Sequence, residues 1–240
     1  MQKILGYMRR AIQQYDMLQD GDVIAVGVSG GKDSLTLLNG LVLLKRFIGV
    51  DFGVKAVTLD PRFNGQPLDL SEIVKFCKNL GVEYKIIPTN IAEIVFDIRK
   101  EKNPCSLCAK MRRGALHDAA LELGCNKIAL GHNYDDAVET FMMNLFTEGR
   151  IGCFSPVSYL SIKKLFLIRP LVLAPETTIR KCAARNNFPV VKSPCIVDGH
   201  TNRQRTKEFL AELEKKNQGV TARIFGAMCK ANVSGWGGGN

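Results

Sequence analysis

The stretch "DVIAVGVSGGKDSLTLLNGLVLL", residues 22–44, constrains the architecture more than any other segment. A β-branched apolar run gives way to two glycines and a lysine, and a long aliphatic segment follows at once. Gly30 and Gly31 permit a tight turn and close approach of backbone to a ligand. The helix expected after them aims its unpaired amide groups at that ligand, which favours an anion. Ser29 and Ser34 add hydroxyls, and Lys32 adds a point charge. This is not the Walker A loop, which needs glycine where Val26 stands and Ser or Thr where Asp33 stands. A carboxylate beside phosphate is repulsive unless a cation lies between them, so Asp33 points to magnesium.

The same alternation continues down the chain. "VKAVTLD", "EYKIIP", "KIALG" and "KLFLIRPL" read as further strands, making five in all. Between them lie helical patterns at about 68–80, in "RRGALHDAALELG" with Gly124 as its cap, in "DDAVETFMMNLF", and in "APETTIRKCAARNN". A last basic helix is expected over 202–215. Strands alternating with helices predict a doubly wound, mainly parallel five-stranded α/β sheet with a helical C-terminal segment. Ligands of such sheets bind beyond the carboxyl ends of the strands, near the switch point. Three polar loops leave those ends: "SGGKDS", "DPRFNG" and "GHNYDD".

The chain divides on this reading into an N-terminal helix (1–20), a core (21–190), a C-terminal loop and basic helix (191–232) and a frayed tail (233–240). In the first segment Ile4, Leu5, Met8, Ile12 and Tyr15 follow helical spacing. No secretory signal and no apolar stretch of membrane-span length is recognisable, so a cytoplasmic location without a membrane partner is expected. The 33 Lys and Arg against 23 Asp and Glu leave a net charge of +10. A positive excess suits a polyanion such as RNA, although basic composition alone is also common.

A cytoplasmic chain keeps its eight cysteines reduced. Cys105 and Cys108 stand in C-x-x-C spacing at a helix start, suited to a shared metal or a redox pair. Arg112 and Arg113 nearby favour thiolate. Cys195, next to Pro194 in "KSPCIVDGH", is a third candidate; it is otherwise a small loop residue. Three thiols without an obvious fourth ligand disfavour a closed zinc site and suit an iron–sulfur cluster with one iron left open. Cys77, Cys125, Cys182 and Cys229 read as packing residues, and Cys153 as a possible sulfur relay.

"GHNYDDAVET" places Gly131, His132, Asp135 and Asp136 just past the fourth strand. Asp135 or Asp136 can hold magnesium or orient a base, and His132 can meet a phosphate; equally, the carboxylates can favour a helix N-terminus. Asp60 ends the second strand, where it can face a nucleotide or cap its own loop. His117 and His200 draw no assignment. Basic clusters occur at Arg99, Lys100 and Lys102, at Lys110, Arg112 and Arg113, at Arg180, Lys181 and Arg185, and at Arg203, Arg205 and Lys207. Charge runs are usually solvated faces. Two of these flank the cysteines, and they are read as phosphate contacts.

"SGGKDS" matches in full the SGG-x-DS pattern of the PP-loop ATP pyrophosphatases, which it resembles. The region 21–207, with "CSLCAKMRRGALHDAALELGCNKIALGHNYDDAVETFMMNLF", "LIRPL" and the "PC" at 194–195, is similar to the tRNA 2-thiocytidine synthetases and more distantly to their 2-thiouridine relatives. The resemblance implies a Rossmann-like PP-loop fold and binding of Mg-ATP through Ser29, Gly30, Gly31, Lys32, Asp33 and Ser34, with Asp60, Gly131 and His132 nearby. It implies AMP transfer to a carbonyl oxygen, Lys32, Asp33, Asp135 and Asp136 being catalytic. It further implies a 4Fe-4S cluster on Cys105, Cys108 and Cys195, tRNA as substrate, a cysteine desulfurase or free sulfide as donor, and a homodimer. Departures are a short C-terminus, Asp198 where many relatives carry a further cysteine, and no paired zinc-binding cysteines at the termini. A lysidine-type ligase shares the loop but needs no thiol ligands. A metal-bearing RNA-binding protein without turnover is the other class.

Overall fold

The computed structural model describes residues 1–100, 104–192, 194–195 and 202–238. Lys102, Asp198 and His200 therefore lie outside the described residues.

Among these residues the strands β1 (Asp22–Gly27), β2 (Phe52–Asp60), β3 (Glu83–Pro88), β4 (Lys127–Ala129), β5 (Val157–Leu160) and β6 (Leu165–Ile168) form one sheet in the order β3-β2-β1-β4-β6-β5. β1 to β4 and β6 pair in parallel; β5 pairs antiparallel with β6. The expected sheet thus gains a sixth strand. "VSYL" is short and partly exposed, with serine at its second place, and it sits on the edge as the first arm of a hairpin. Such a strand lacks the apolar run that marks a buried one. β1 is the opposite case: Ile24, Ala25 and Val26 are fully enclosed, so their run is continuous rather than alternating.

Connections β1 to β3 wind one way from the centre and β4 to β6 the other, which puts the switch point between β1 and β4. Helix α2 (Lys32–Leu44) follows β1 and buries Leu35, Leu37, Leu38, Leu41 and Leu44. α1 (Gln2–Gln14) lays Ile4, Met8, Ala11 and Ile12 into the same core, the spacing expected of it. α3 (Ser71–Asn79) packs beside β3, α4 (Pro104–Glu122) packs across β2, β1 and β4, and Gly124, at φ +68°, ends α4 as expected. α5 (Tyr134–Thr147) follows β4, and α6 (Glu176–Arg185) follows β6.

α7 (Asn202–Lys216) matches the predicted basic helix, and α8 (Val220–Lys230) is an additional one. The tail expected to fray is packed as far as Trp236. That residue is completely buried, its ring set against Tyr15, Phe154 and Phe225. No helix among the described residues is long and apolar enough to cross a membrane.

A nucleotide cavity walled by the cysteine helix

The glycine loop after β1 is held by its own serines. Ser29 N–H donates to Ser34 Oγ at 3.2 Å, Ser34 Oγ donates to the Gly31 carbonyl at 2.9 Å, and Gly31 N–H donates to Ser29 Oγ at 3.3 Å. Gly30 takes φ +82°, a conformation that disfavours a side chain, and a Cβ there would lie 3.3 Å from that of Val191. Gly30→Ala is expected to destabilise the fold by about 1–3 kcal/mol, read as a lower urea midpoint, with weaker nucleotide binding by calorimetry.

Gly131, after β4, approaches the same turn: a Cβ would come within 3.1 Å of the backbone of Asp33 and Ser34. The two loops at the switch point therefore touch through backbone.

Above them opens a cavity of about 380 Å³. Its floor is apolar, made by Gly27, Val57, Leu59, Leu130 and Leu167 at the strand ends; Ser29, Asp33, Ser34, Gly131 and His132 form one side. α4 adds a further wall through Ala109, Arg112, Arg113, Leu116 and His117. A largely apolar slot with a few convergent polar groups fits a nucleobase and its sugar. His132 packs on the Phe154 ring at 4.8 Å, and its buried Nδ1 has no partner. Burial, aided by Arg169 and Arg203, lowers its pKa to about 3, so it offers a neutral imidazole rather than a cation to phosphate.

Asp60 is not among the cavity residues. Its Oδ1 accepts from Arg62 N–H and its Oδ2 from Leu68 N–H, so this carboxylate caps the loop after β2.

Asp33 also faces a second, polar cleft of about 280 Å³ that holds Asp135, Asp136, Glu139, Glu176 and the α7 cations. Asn133 is the reason. Its side chain accepts from Asp136 N–H while Asp136 accepts from Asn133 N–H, a capping box that starts α5. The same amide donates to Asp33 Oδ1 at 3.1 Å. Lys32 Nζ lies 2.8 Å from Asp33 and 2.9 Å from Glu176. Burial alone would lower the Lys32 pKa; Asp33 and Glu176 more than offset it, and the value rises. Burial likewise opposes the charge of Glu176, but Lys207 and Lys32 take its pKa down to about 2. Asp135 Oδ2 accepts from Glu176 N–H at 2.7 Å, and Arg203 pairs with Asp136 at 3.2 Å. Arg203 and Lys207, read from sequence as phosphate contacts, are thus engaged by carboxylates. Asn133 and Glu176 drew no assignment from sequence; the N-x-x-D box was the available sign for Asn133, and Glu176 left none.

Cys105 and Cys108 sit in the first turns of α4, below the arginines that line the cavity. Burial raises the Cys108 thiol; Arg112 lowers it, while Cys195 and Cys105 raise it further. The net rise reverses the thiolate preference expected from the nearby arginines, chiefly because burial disfavours the charged form and, to a lesser degree, because two other thiols oppose it. Cys195 is thus among the groups whose charge acts on Cys108. Four residues earlier in the chain, Val191 N–H donates to the Gly30 carbonyl of the glycine loop at 3.0 Å. No three His, Cys, Asp or Glu side chains among the described residues meet closely enough to grip one metal ion. A cluster asks for something different, each thiolate binding its own iron, and three cysteines without a fourth protein ligand are the donor type it takes. Cys153 donates to the Ala137 carbonyl, and burial raises its pKa to about 11, which marks a packing thiol rather than a relay.

Comparison with known proteins identifies the family. The PP-loop domain model matches residues 6–213. The chain is 37% identical over 236 residues to the tRNA-cytidine(32) 2-sulfurtransferase of Dechloromonas aromatica, covering 95% of this chain and 81% of that one. With the enzyme of the same name from Geobacter sulfurreducens it shares 38% identity over 229 residues, covering 94% and 88%. Among solved structures, the U34-tRNA thiolase NcsA from Methanococcus maripaludis with its [4Fe-4S] cluster superposes with a TM-score of 0.75, at 28% identity, over 91% of this chain and 75% of that one. The loop, the fold and these likenesses agree: the chain belongs to the PP-loop family, among the tRNA-cytidine 2-sulfurtransferases.

Proposed function

We propose that the protein uses Mg-ATP to replace the C2 oxygen of a tRNA cytidine with sulfur. The observation that carries this reading is the shared cavity: one of its walls is the phosphate loop, and another is the helix that begins with Cys105 and Cys108.

The chemistry balances without redox. The C2 carbonyl oxygen attacks the α phosphate, and the bond to the β phosphate breaks to release pyrophosphate. Sulfur at the sulfide level then forms the C2–S bond, and AMP departs with the former carbonyl oxygen. Cytidine, ATP and hydrosulfide thus give 2-thiocytidine, AMP and pyrophosphate, with one proton released.

The chain's own residues have distinct tasks. The α2 amides and Lys32 bind the leaving phosphates. Asp33, which accepts from Asn133, holds magnesium against them on this reading. The apolar floor takes the adenosine and excludes water from the adenylated base. Arg112 and Arg113 present positive charge at the wall where an RNA backbone enters. The base reaches this depth only when splayed out of its loop. Asp135 and Asp136 act by orienting Glu176 and Arg203 rather than by touching substrate. When bound on Cys105, Cys108 and Cys195, a 4Fe-4S cluster supplies an iron without a protein ligand at which sulfur can be presented. Free sulfide provides that sulfur directly, whereas a cysteine desulfurase does so only together with a two-electron thiol reductant that releases its persulfide sulfur as sulfide; the protein acts in the cytoplasm as a homodimer.

Deleting the gene is expected to remove 2-thiocytidine from total tRNA nucleosides analysed by mass spectrometry, and re-expression to restore it. Unchanged 2-thiocytidine, or loss of 2-thiouridine or lysidine instead, rejects the reading.

A further inference from the structure

The polar cleft beside the phosphate loop contains an arrangement that phosphate binding alone does not explain. Lys32, the cation of the loop, is already neutralised: its Nζ lies between Asp33 Oδ2 at 2.8 Å and Glu176 Oε1 at 2.9 Å. Asp33 is its chain neighbour and moves with it. Glu176 comes from a different element, the start of α6, and is fixed from several sides. Its Oε2 takes Lys207 Nζ at 2.6 Å, Arg180 approaches Oε1 at 3.5 Å, and its backbone N–H donates to Asp135 at 2.7 Å. Only 13% of its side chain is exposed. A carboxylate so held and so little hydrated is a strong competitor for any cation in reach.

We propose that Glu176 is an exchangeable counter-ion of Lys32, surrendering it to the nucleotide's phosphates and recapturing it to expel pyrophosphate. Because Lys207 and Arg180 remain on Glu176 when Lys32 leaves, the carboxylate is never left uncompensated in the cleft, and the exchange costs little. Lys207 therefore sets how readily Glu176 gives Lys32 up. Both are positioning residues: they act on the phosphates through Lys32. This assignment rests on the phosphate-binding role given to Lys32 above.

Opposite effects from two substitutions make the idea testable. The probe is magnesium pyrophosphate, titrated calorimetrically into the anaerobically purified full-length protein, with its dissociation rate followed by stopped flow. Glu176→Gln removes the competing charge with little change in shape. It is expected to tighten binding about fivefold and to slow dissociation. Glu176→Asp keeps the charge on a stem one methylene shorter and should fall between. Lys207→Met leaves Glu176 more dependent on Lys32 and should weaken binding at least about threefold. A merely structural role would weaken binding in every variant. Binding by Glu176→Gln that is no tighter than wild type overturns the proposal, as does binding by Lys207→Met that is no weaker. If Glu176→Gln does not fold, Glu176→Asp decides in its place: binding tighter than wild type supports the exchange, and binding no tighter overturns it. A wild-type protein that binds no pyrophosphate overturns the proposed function itself, whereas wild-type binding with unshifted variants overturns only the exchange.

Discussion

Replacing Cys108 with alanine is expected to abolish sulfur transfer to tRNA while leaving the phosphate loop intact. Cys108 is half-buried at the start of α4, and Cys105 and Cys195 both act on its thiol. Loss of an outer-shell partner costs a metal site about 10–100-fold in affinity or activity, and loss of a ligand should exceed that. Three readouts separate the roles. Visible absorption of the anaerobic protein should fall, 2-thiocytidine formation should reach background, and pyrophosphate affinity should stay within about twofold, a shift of under half a kcal/mol. The last expectation follows from position, because Cys108 does not line the cavity and the loop is tied by its own serines. Thiolation that persists in this variant rejects the cluster role. Thiolation and pyrophosphate binding lost together would instead mean that the first turns of α4 hold the cavity open.

How far the site was legible depended on how local its determinants are. The β1 strand, the glycine loop and α2 form one continuous segment whose pattern admits little else, and the sheet order places the 131–136 loop beside it. Gly131 has a reason visible only in three dimensions: the backbone of Asp33 and Ser34 lies 3.1 Å from any Cβ there. Arg203 and Lys207 looked like solvated or RNA-facing charge because composition does not reveal partners. Their carboxylates, Asp136, Glu139 and Glu176, come from two other helices. Glu139 shows the consequence, since burial raises its pKa to about 7 although Lys207 and Arg203 oppose the rise. Asp60 carried two readings in sequence, and the short loop it closes decides for capping.

The tail was the largest misreading, and it yields the second large effect. "SGWGGGN" looks unstructured because four of its residues are glycine, yet the single tryptophan of the chain ends up fully buried. Its Nε1 donates to the Phe154 carbonyl at 2.7 Å, and Tyr15 Oη donates to the Trp236 carbonyl at 3.3 Å. The first helix and the last residues are thereby joined through one indole. Trp236→Ala is expected to cost about 3–5 kcal/mol of stability, measured as a fall in urea midpoint at unchanged slope. Trp236→Phe keeps most of the buried ring but orphans the Phe154 carbonyl, so it should cost about 1–3 kcal/mol. With no other tryptophan present, native emission should be blue-shifted and should move to longer wavelength only as the protein unfolds. Because Phe154 also carries the His132 ring at 4.8 Å, the alanine variant should loosen the nucleotide cavity as well. Nucleotide affinity should fall further in Trp236→Ala than in Trp236→Phe. Truncation after 232 with no loss of stability would show instead that the indole only covers a core already complete without it.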